Sequence, residues 1–260
     1  MTVSTDPPSS SGPSPLPSPV PEYLALSFPA PMPDRPYVIL NMVTSADGKA
    51  TAGKTEAPLS SPTDKLVLQS LRVHAGAVLD GAGTARSSGV NPTIRDARLR
   101  QVRESMGHTG PPLQAVLSGS ANLPPDAPYL RREDFPLVIF VSETASPQRI
   151  AALSATGRNV EALPAGPAGL PELVRRLRRH YDVRLLLLEG GPALNSQFFH
   201  AGFVDEVFLT LSPHIADGRG TPTAVEGESF PPESMPALDL ISVYPSPETS
   251  EVYLRWRVRR

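Results

Sequence analysis

Residues Leu185-Leu186-Leu187-Leu188-Glu189-Gly190-Gly191-Pro192-Ala193-Leu194-Asn195 constrain this chain more than any other stretch. Four successive leucines without alternation suit a central strand covered on both faces. Pro192 fits the first position of a following helix, where a missing N–H costs nothing. Gly202 then reads as the glycine that stops that helix. A strand end, a Gly-Gly turn and a helix N-terminus leave free backbone N–H groups where a phosphate can sit, with Glu189 at the lip of the same crevice. The plainer alternative for this turn is a tight bend with a solvated acid.

With 260 residues the chain can bury a large core. Its formal net charge is −2, and no basic stripe with interleaved aromatics occurs, which argues against a nucleic-acid partner. The absence of cysteine removes disulfides, thiolate catalysis and cysteine-based zinc sites. The five histidines, His74, His108, His180, His200 and His214, show no metal-binding spacing, so no metal is expected. No apolar run is long enough for a membrane span, and the N-terminus lacks a basic head with an apolar signal core. A cytoplasmic protein is the expectation.

Residues 1–34 are set apart by Pro7, Pro8, Pro13, Pro15, Pro17, Pro19 and Pro21 among serines, a composition expected to form an extended or disordered tail. One domain is expected over residues 35–260. Strands are predicted at 37–42, 75–79, 115–117, 137–141, 159–162 and 185–188. Between them helices are predicted at 61–72, capped by Ser61 with Pro62 in first position, at 91–106, 147–155 and 170–180. Segments 206–211, 238–243 and 252–258 alternate in the manner of antiparallel strands. Repeated strand–helix units finishing in strands give an α/β class with a mixed, mostly parallel sheet.

In such a sheet ligands bind beyond the carboxyl ends of the strands. Three strand ends carry suitable loops: Asn41 to Lys49, Gly81-Ala82-Gly83-Thr84-Ala85-Arg86, and the Glu189-Gly190-Gly191 segment. The second is a poor dinucleotide fingerprint, because Arg86 stands where the third glycine belongs. Its glycines and the Thr84 hydroxyl still suit a phosphate.

Together, Arg35-Pro36-Tyr37 through Ser45-Ala46-Asp47-Gly48-Lys49, Gly81–Thr84, Leu188–Asn195, Ala201-Gly202-Phe203-Val204-Asp205-Glu206 and Leu211-Ser212-Pro213-His214-Ile215-Ala216-Asp217-Gly218 resemble the RibD C-terminal family, the pyrimidine reductases of riboflavin biosynthesis. The resemblance covers residues 35–260 and is nearest the stand-alone archaeal type; the deaminase half of longer members needs cysteines that this chain lacks. It implies a dihydrofolate-reductase-like three-layer sandwich, a homodimer, and NADPH-dependent reduction of a ribosylaminopyrimidine 5′-phosphate to its ribitylamino product. By position, Asn41 and Glu189 face the substrate and serve catalysis, and Arg72 and Arg95 bind the substrate. A guanidinium suits a phosphate dianion. Arg72 also has a plain reading, as a helix C-terminal arginine that complements the dipole.

The implied cofactor positions are Val43, Thr44, Gly81, Gly83, Thr84, Ser118, Gly190, Gly191, Pro192, Ala193, Leu194 and Asn195, with Arg86 a candidate for reading a 2′-phosphate. Ser88 replaces the family acid that contacts the cofactor. Asp47 reads as a turn acid, His214 as structural, and Asp205-Glu206 as a strand cap that braces the cleft wall. Two alternatives stand beside this reading: a dihydrofolate-reductase-like enzyme for another pteridine or pyrimidine, and a non-catalytic NADPH-binding protein.

Overall fold

The computed structural model describes residues 15–53 and 55–260. Strand β6 (Leu185–Gly190) lies inside a nine-stranded sheet, between β1 (Tyr37–Ser45) and β2 (Ala77–Gly81), parallel to both. Leu186 and Leu188 point into one core cluster and Leu185 and Leu187 into another, which is why all four positions are apolar. Beyond β2 the sheet continues through β3 (Leu113–Leu117), β4 (Leu137–Ser142) and β5 (Asn159–Leu163), all parallel.

Beyond β1 lie β7 (Glu206–Ser212), β9 (Val252–Val258) and the edge strand β8 (Leu238–Pro245). The last two are antiparallel to their neighbours, as the alternation predicts. Strand β7 departs from that expectation: it runs parallel to β1, with Ile39 opposite Glu206 and Ser45 opposite Ser212. The cause is the helix α7 (Pro192–His200) between β6 and β7, a crossover that returns the chain in its original direction.

Helices cover both faces, giving three layers. On one face α6 (Gly169–Arg179) and α7 set Leu173, Leu177, Leu194 and Phe198 against Val38, Leu40, Leu79, Leu186 and Leu188. On the other, α2 (Pro62–His74) and α4 (Ala97–Ser105) set Val67, Leu71 and Leu99 against Ile39, Val78, Leu187 and Phe208. Farther along that face α3 (Ala82–Ser87) and α5 (Pro147–Ser154) bury Ala85 and Leu153 on Val116, Ile139 and Val141.

Two expectations need correction. The predicted tail ends too late: residues 15–34 pack on the α2 face, where α1 (Val20–Leu24) is buried through Val20 and Tyr23. The Tyr23 ring meets Phe208 edge-on at 5.4 Å, and His74 Nε2 hydrogen-bonds its carbonyl. Leu16, Val20, Tyr23, Leu24, Leu26 and Phe28 supply an apolar surface that proline-rich composition conceals, and Pro21 is tolerated because it falls in the first helical turn. The part of the predicted tail carrying Pro7, Pro8 and Pro13 lies outside the described residues. The helix expected at 91–106 starts only at Ala97, because Pro92 disfavours helix at Asn91 and the Asn91 side chain accepts from Thr93 N instead.

Candidate functional site

A cleft of about 1260 Å³ opens at the carboxyl ends of β1, β6 and β2. Asn41, Met42 and Val43 from β1, Asp80 and Gly81 from β2 and Glu189 from β6 line it, with Arg72 from α2 and Pro192 to Leu194 from α7. The alternation of strand residues divides its contents. Asn41 follows Ile39, and Asp80 follows Val78, onto the α2 face, whereas Met42 turns with Leu40 to the α7 face. The turn into α3 and the start of α7 close the opposite side.

On the α2 side, Arg72 and Glu189 form a two-pronged ion pair. Arg72 Nε donates to Glu189 Oε1 at 2.7 Å and Nη2 donates to Oε2 at 2.6 Å. The side chains are 11% and 12% exposed, so water screens the pair poorly. Burial works against the Arg72 charge, but Glu189 and, more weakly, Asp80 outweigh it and hold the guanidinium above its ordinary pKa. Arg72 Nη1 keeps only a long 3.4 Å contact with the Thr93 carbonyl, leaving that corner the group best able to reach a ligand. The helix-end role read for Arg72 belongs to Arg103. Its guanidinium donates to the carbonyls of Arg72, Val73, Ala75 and Gly110, and burial lowers its pKa to about 10.

On the α7 side, Gly81, Gly83, Thr84, Gly191, Pro192, Ala193 and Leu194 all line the cleft, and Val43 lines it from β1 beyond Asn41. Gly191 sits so close to the α3 turn that a Cβ there would lie 3.2 Å from Thr84 Oγ1. Gly190 has φ of +95°, a backbone that glycine alone adopts easily. Thr44, Ser118, Gly190 and Asn195 belong to the floor beneath and are absent from the lining. Asn195 Nδ2 donates to the Ala224 carbonyl at 2.8 Å, tying α7 to the loop after β7. Among the described residues Thr44 Oγ1, Ser118 Oγ and Asn195 Oδ1 are buried without partners.

Other sequence candidates lie elsewhere. Arg95 is exposed and outside the lining; its backbone N–H donates to Gln69 Oε1. Arg86 is also outside it and donates to the Asn122 carbonyl. Ser88 does line the cleft. Asp47 is a turn acid, accepting from Ser45 Oγ and from the backbone N–H groups of Ala216 and Asp217, bonds that hold its pKa at about 2. His214 pairs with Ser212 Oγ.

Asp205 and Glu206 cap strands without bracing the cleft wall, because they sit at the amino end of β7. Asp205 accepts from Val38 N and Arg35, and Glu206 from Tyr37 and Arg255.

Several lining residues escaped the sequence reading: Asp80, Gly119, Ser142 and the turn from Leu163 through Pro164 and Gly166 to Leu170. The signal for the turn was present, since it follows the carboxyl end of β5. Asp80 was visible only as a strand-end acid.

Among the described residues no group of three His, Cys, Asp or Glu could hold a metal ion, and no helix is long and apolar enough to cross a membrane.

The model of the RibD C-terminal domain matches residues 36–249. The 2,5-diamino-6-ribosylamino-4(3H)-pyrimidinone 5′-phosphate reductase of Methanothermobacter thermautotrophicus is 33% identical over 198 residues, 75% of this chain and 86% of that protein. The protein of the same name from Archaeoglobus fulgidus is 30% identical over 197 residues, 75% of this chain and 89% of its own length. The crystal structure of a pyrimidine reductase-like protein from Corynebacterium diphtheriae superposes with a TM-score of 0.76 at 26% identity, covering 87% of this chain and 93% of that one.

Proposed function

The chain belongs to the RibD C-terminal domain family, and from that membership we propose that it reduces a ribosylaminopyrimidine 5′-phosphate to the ribitylamino product with NADPH. The observation that carries this reading is the division of one cleft into a charged half around Arg72 and Glu189 and a glycine-lined half at the start of α7. The glycine half suits a dinucleotide. Gly191 leaves no Cβ between the α3 turn and the cleft, and the α7 N-terminus turns backbone N–H groups towards it. The Gly81–Thr84 turn and Gly191–Leu194 would hold the cofactor, with Val43 beside its nicotinamide. The bound cofactor supplies the hydride.

The remaining work falls to the protein. Glu189 is held in place by Arg72 and faces the region where positive charge develops on the substrate's imine, so its carboxylate stabilises that charge. Arg72 is fixed by the same pair and offers Nη1 to the substrate. Asn41, an uncharged donor and acceptor, orients the substrate from the β1 end.

A second reading rests on Arg95. Its exposure leaves Arg72 as the arginine of the charged half, which suits an unphosphorylated pyrimidine or pteridine. Absorbance at 340 nm separates the two. The leading reading expects NADPH oxidation with the diamino or the deaminated ribosylaminopyrimidine phosphate, and a large loss once the phosphate is removed. Equal rates with and without phosphate favour the second; no oxidation with either form, phosphorylated or not, removes the leading reading.

The same reading includes a homodimer and a cytoplasmic location. Edge strand β8 exposes Leu238, Leu240, Ile241 and Val243, a surface that a second copy would cover. Sedimentation velocity of wild type and Leu240→Lys tests it: the wild type is expected at twice the chain mass and the variant at the chain mass.

A further inference from the structure

Asp80 is hard to account for as a structural residue. It stands at the carboxyl end of β2, opposite Gly190 on β6 and Val116 on β3, is 4% exposed, and lines the cleft. Among the described residues its only hydrogen-bond donor is Gln114 Nε2 at 2.9 Å, from the neighbouring strand. Gln114 is itself fully buried, and its Oε1 has no partner among the described residues. Two polar side chains between strands of otherwise apolar sequence weaken the sheet, where a pair of valines would pack without penalty. The Gln114 amide also donates to the Ala115 and Val78 carbonyls, so the sheet holds it without Asp80, and the use of the carboxyl lies on the cleft side.

We propose that Asp80 is a specificity-determining group of this cleft, a carboxyl that donates its proton in a hydrogen bond to an acceptor atom of the bound pyrimidine. The proposal rests on the reductase reading. Burial and the neighbouring carboxylates favour the neutral form against the weaker pull of Gln114 and Arg72. From α2 comes Arg72, already committed through two N–H groups to Glu189 of β6; from the loop before α2 comes Glu56; and β3 offers only the uncharged Gln114. A second carboxylate beside Glu189 would share one guanidinium. Burial first, and then the Glu189 charge, push the Asp80 carboxyl up to about 8. A neutral carboxyl is a donor, whereas a carboxylate can only accept, so the two neighbouring acids suit a pyrimidine that carries both carbonyl and amino groups.

The test is the pH profile of kcat/KM for wild type, Asp80→Asn and Asp80→Val with the ribosylaminopyrimidine phosphates. Wild type is expected to lose kcat/KM above about pH 8, as the donor is lost. Asp80→Asn keeps a neutral donor, so it is expected to fall by about threefold and to lose the alkaline limb. Asp80→Val is expected to fall by about thirtyfold, in the KM for the pyrimidine and not in the KM for NADPH.

The 13C carboxyl resonance of Asp80, assigned with Asp80→Asn, should titrate well above the ordinary acidic range. Turnover with the alkaline limb intact in Asp80→Asn, or an ordinary acidic titration, overturns this inference alone. No turnover with either substrate overturns the reductase reading and this inference with it, since no pyrimidine then remains for Asp80 to bind.

Discussion

Glu189 and Arg72, separated by 117 positions in sequence, meet through two parallel hydrogen bonds of 2.7 and 2.6 Å at the mouth of β6. The pair makes one functional unit of residues that each look like an independent ligand contact. Glu189 fixes which edge of the guanidinium is free, and Arg72 satisfies both Glu189 oxygens in a poorly hydrated place. Each residue also restrains the other's geometry, so a change at either should be felt at both.

Glu189→Gln should therefore reduce kcat by about a hundredfold, the scale of losing one charge-stabilising group. It should move the Kd for NADPH by less than about threefold, because the cofactor half lies across the cleft. Stopped-flow turnover and fluorescence titration of NADPH provide the two numbers. Equal losses in both would remove Glu189 from the substrate side. The cycle with Arg72→Lys should be strongly non-additive, since lysine cannot make the two-pronged contact.

Gly191→Ala should weaken NADPH binding by about tenfold while leaving the thermal midpoint within about 2 °C, because φ at Gly191 is not positive and its new Cβ meets only the Thr84 hydroxyl at 3.2 Å. Thr84→Ala in the Gly191→Ala background removes that contact, so fluorescence titration should show part of the affinity restored. An unchanged Kd in Gly191→Ala would separate this turn from the cofactor.

Local pattern carried much of the fold. The leucine strand, the Ser61-Pro62 helix start and the alternating β8 and β9 are readable because one periodicity or one cap decides each. Direction was less legible. Strand β7 alternates like its antiparallel partner β9, yet α7 fixes it parallel to β1, and only the crossover tells. In the site, Gly81–Thr84 and Gly191–Leu194 follow from the rule that strand ends bind ligands. The Arg72–Glu189 pairing does not follow from sequence, since it depends on how α2 lies on the sheet. Asp80 escaped for a related reason: an acid at a strand end looks solvated until its neighbours are known.

Residues 15–34 should behave as part of the domain. Tyr23 is 2% exposed, touches Phe208 and Tyr244 edge-on, and presents its carbonyl to His74 at the end of α2. Tyr23→Ala should cost about 3 kcal/mol, within the range for emptying a buried aromatic site. Urea unfolding followed by Trp256 fluorescence checks it, and a loss under 0.5 kcal/mol, the scale of a surface change, would contradict the packing described above.

Asp64 offers a pH test of the α2 face. It is 5% exposed, accepts from Ser60 Oγ at 2.5 Å, and burial lifts its pKa to about 6 despite hydrogen bonds from Ser60 and Thr210. A carboxyl raised on folding binds its proton more tightly in the native state. Its contribution is therefore fully present below the unfolded value near 4, and it is lost as pH rises through 6. A shift of this size corresponds to about 3 kcal/mol. Asp64→Asn cannot titrate, so the stability of wild type relative to Asp64→Asn should fall by about that amount between pH 4 and pH 7. Urea midpoints for both proteins at each pH give the difference directly. A difference that stays flat across this range would mean that Asp64 ionises as an ordinary surface acid and that the N-terminal turn of α2 is wetter than its packing indicates.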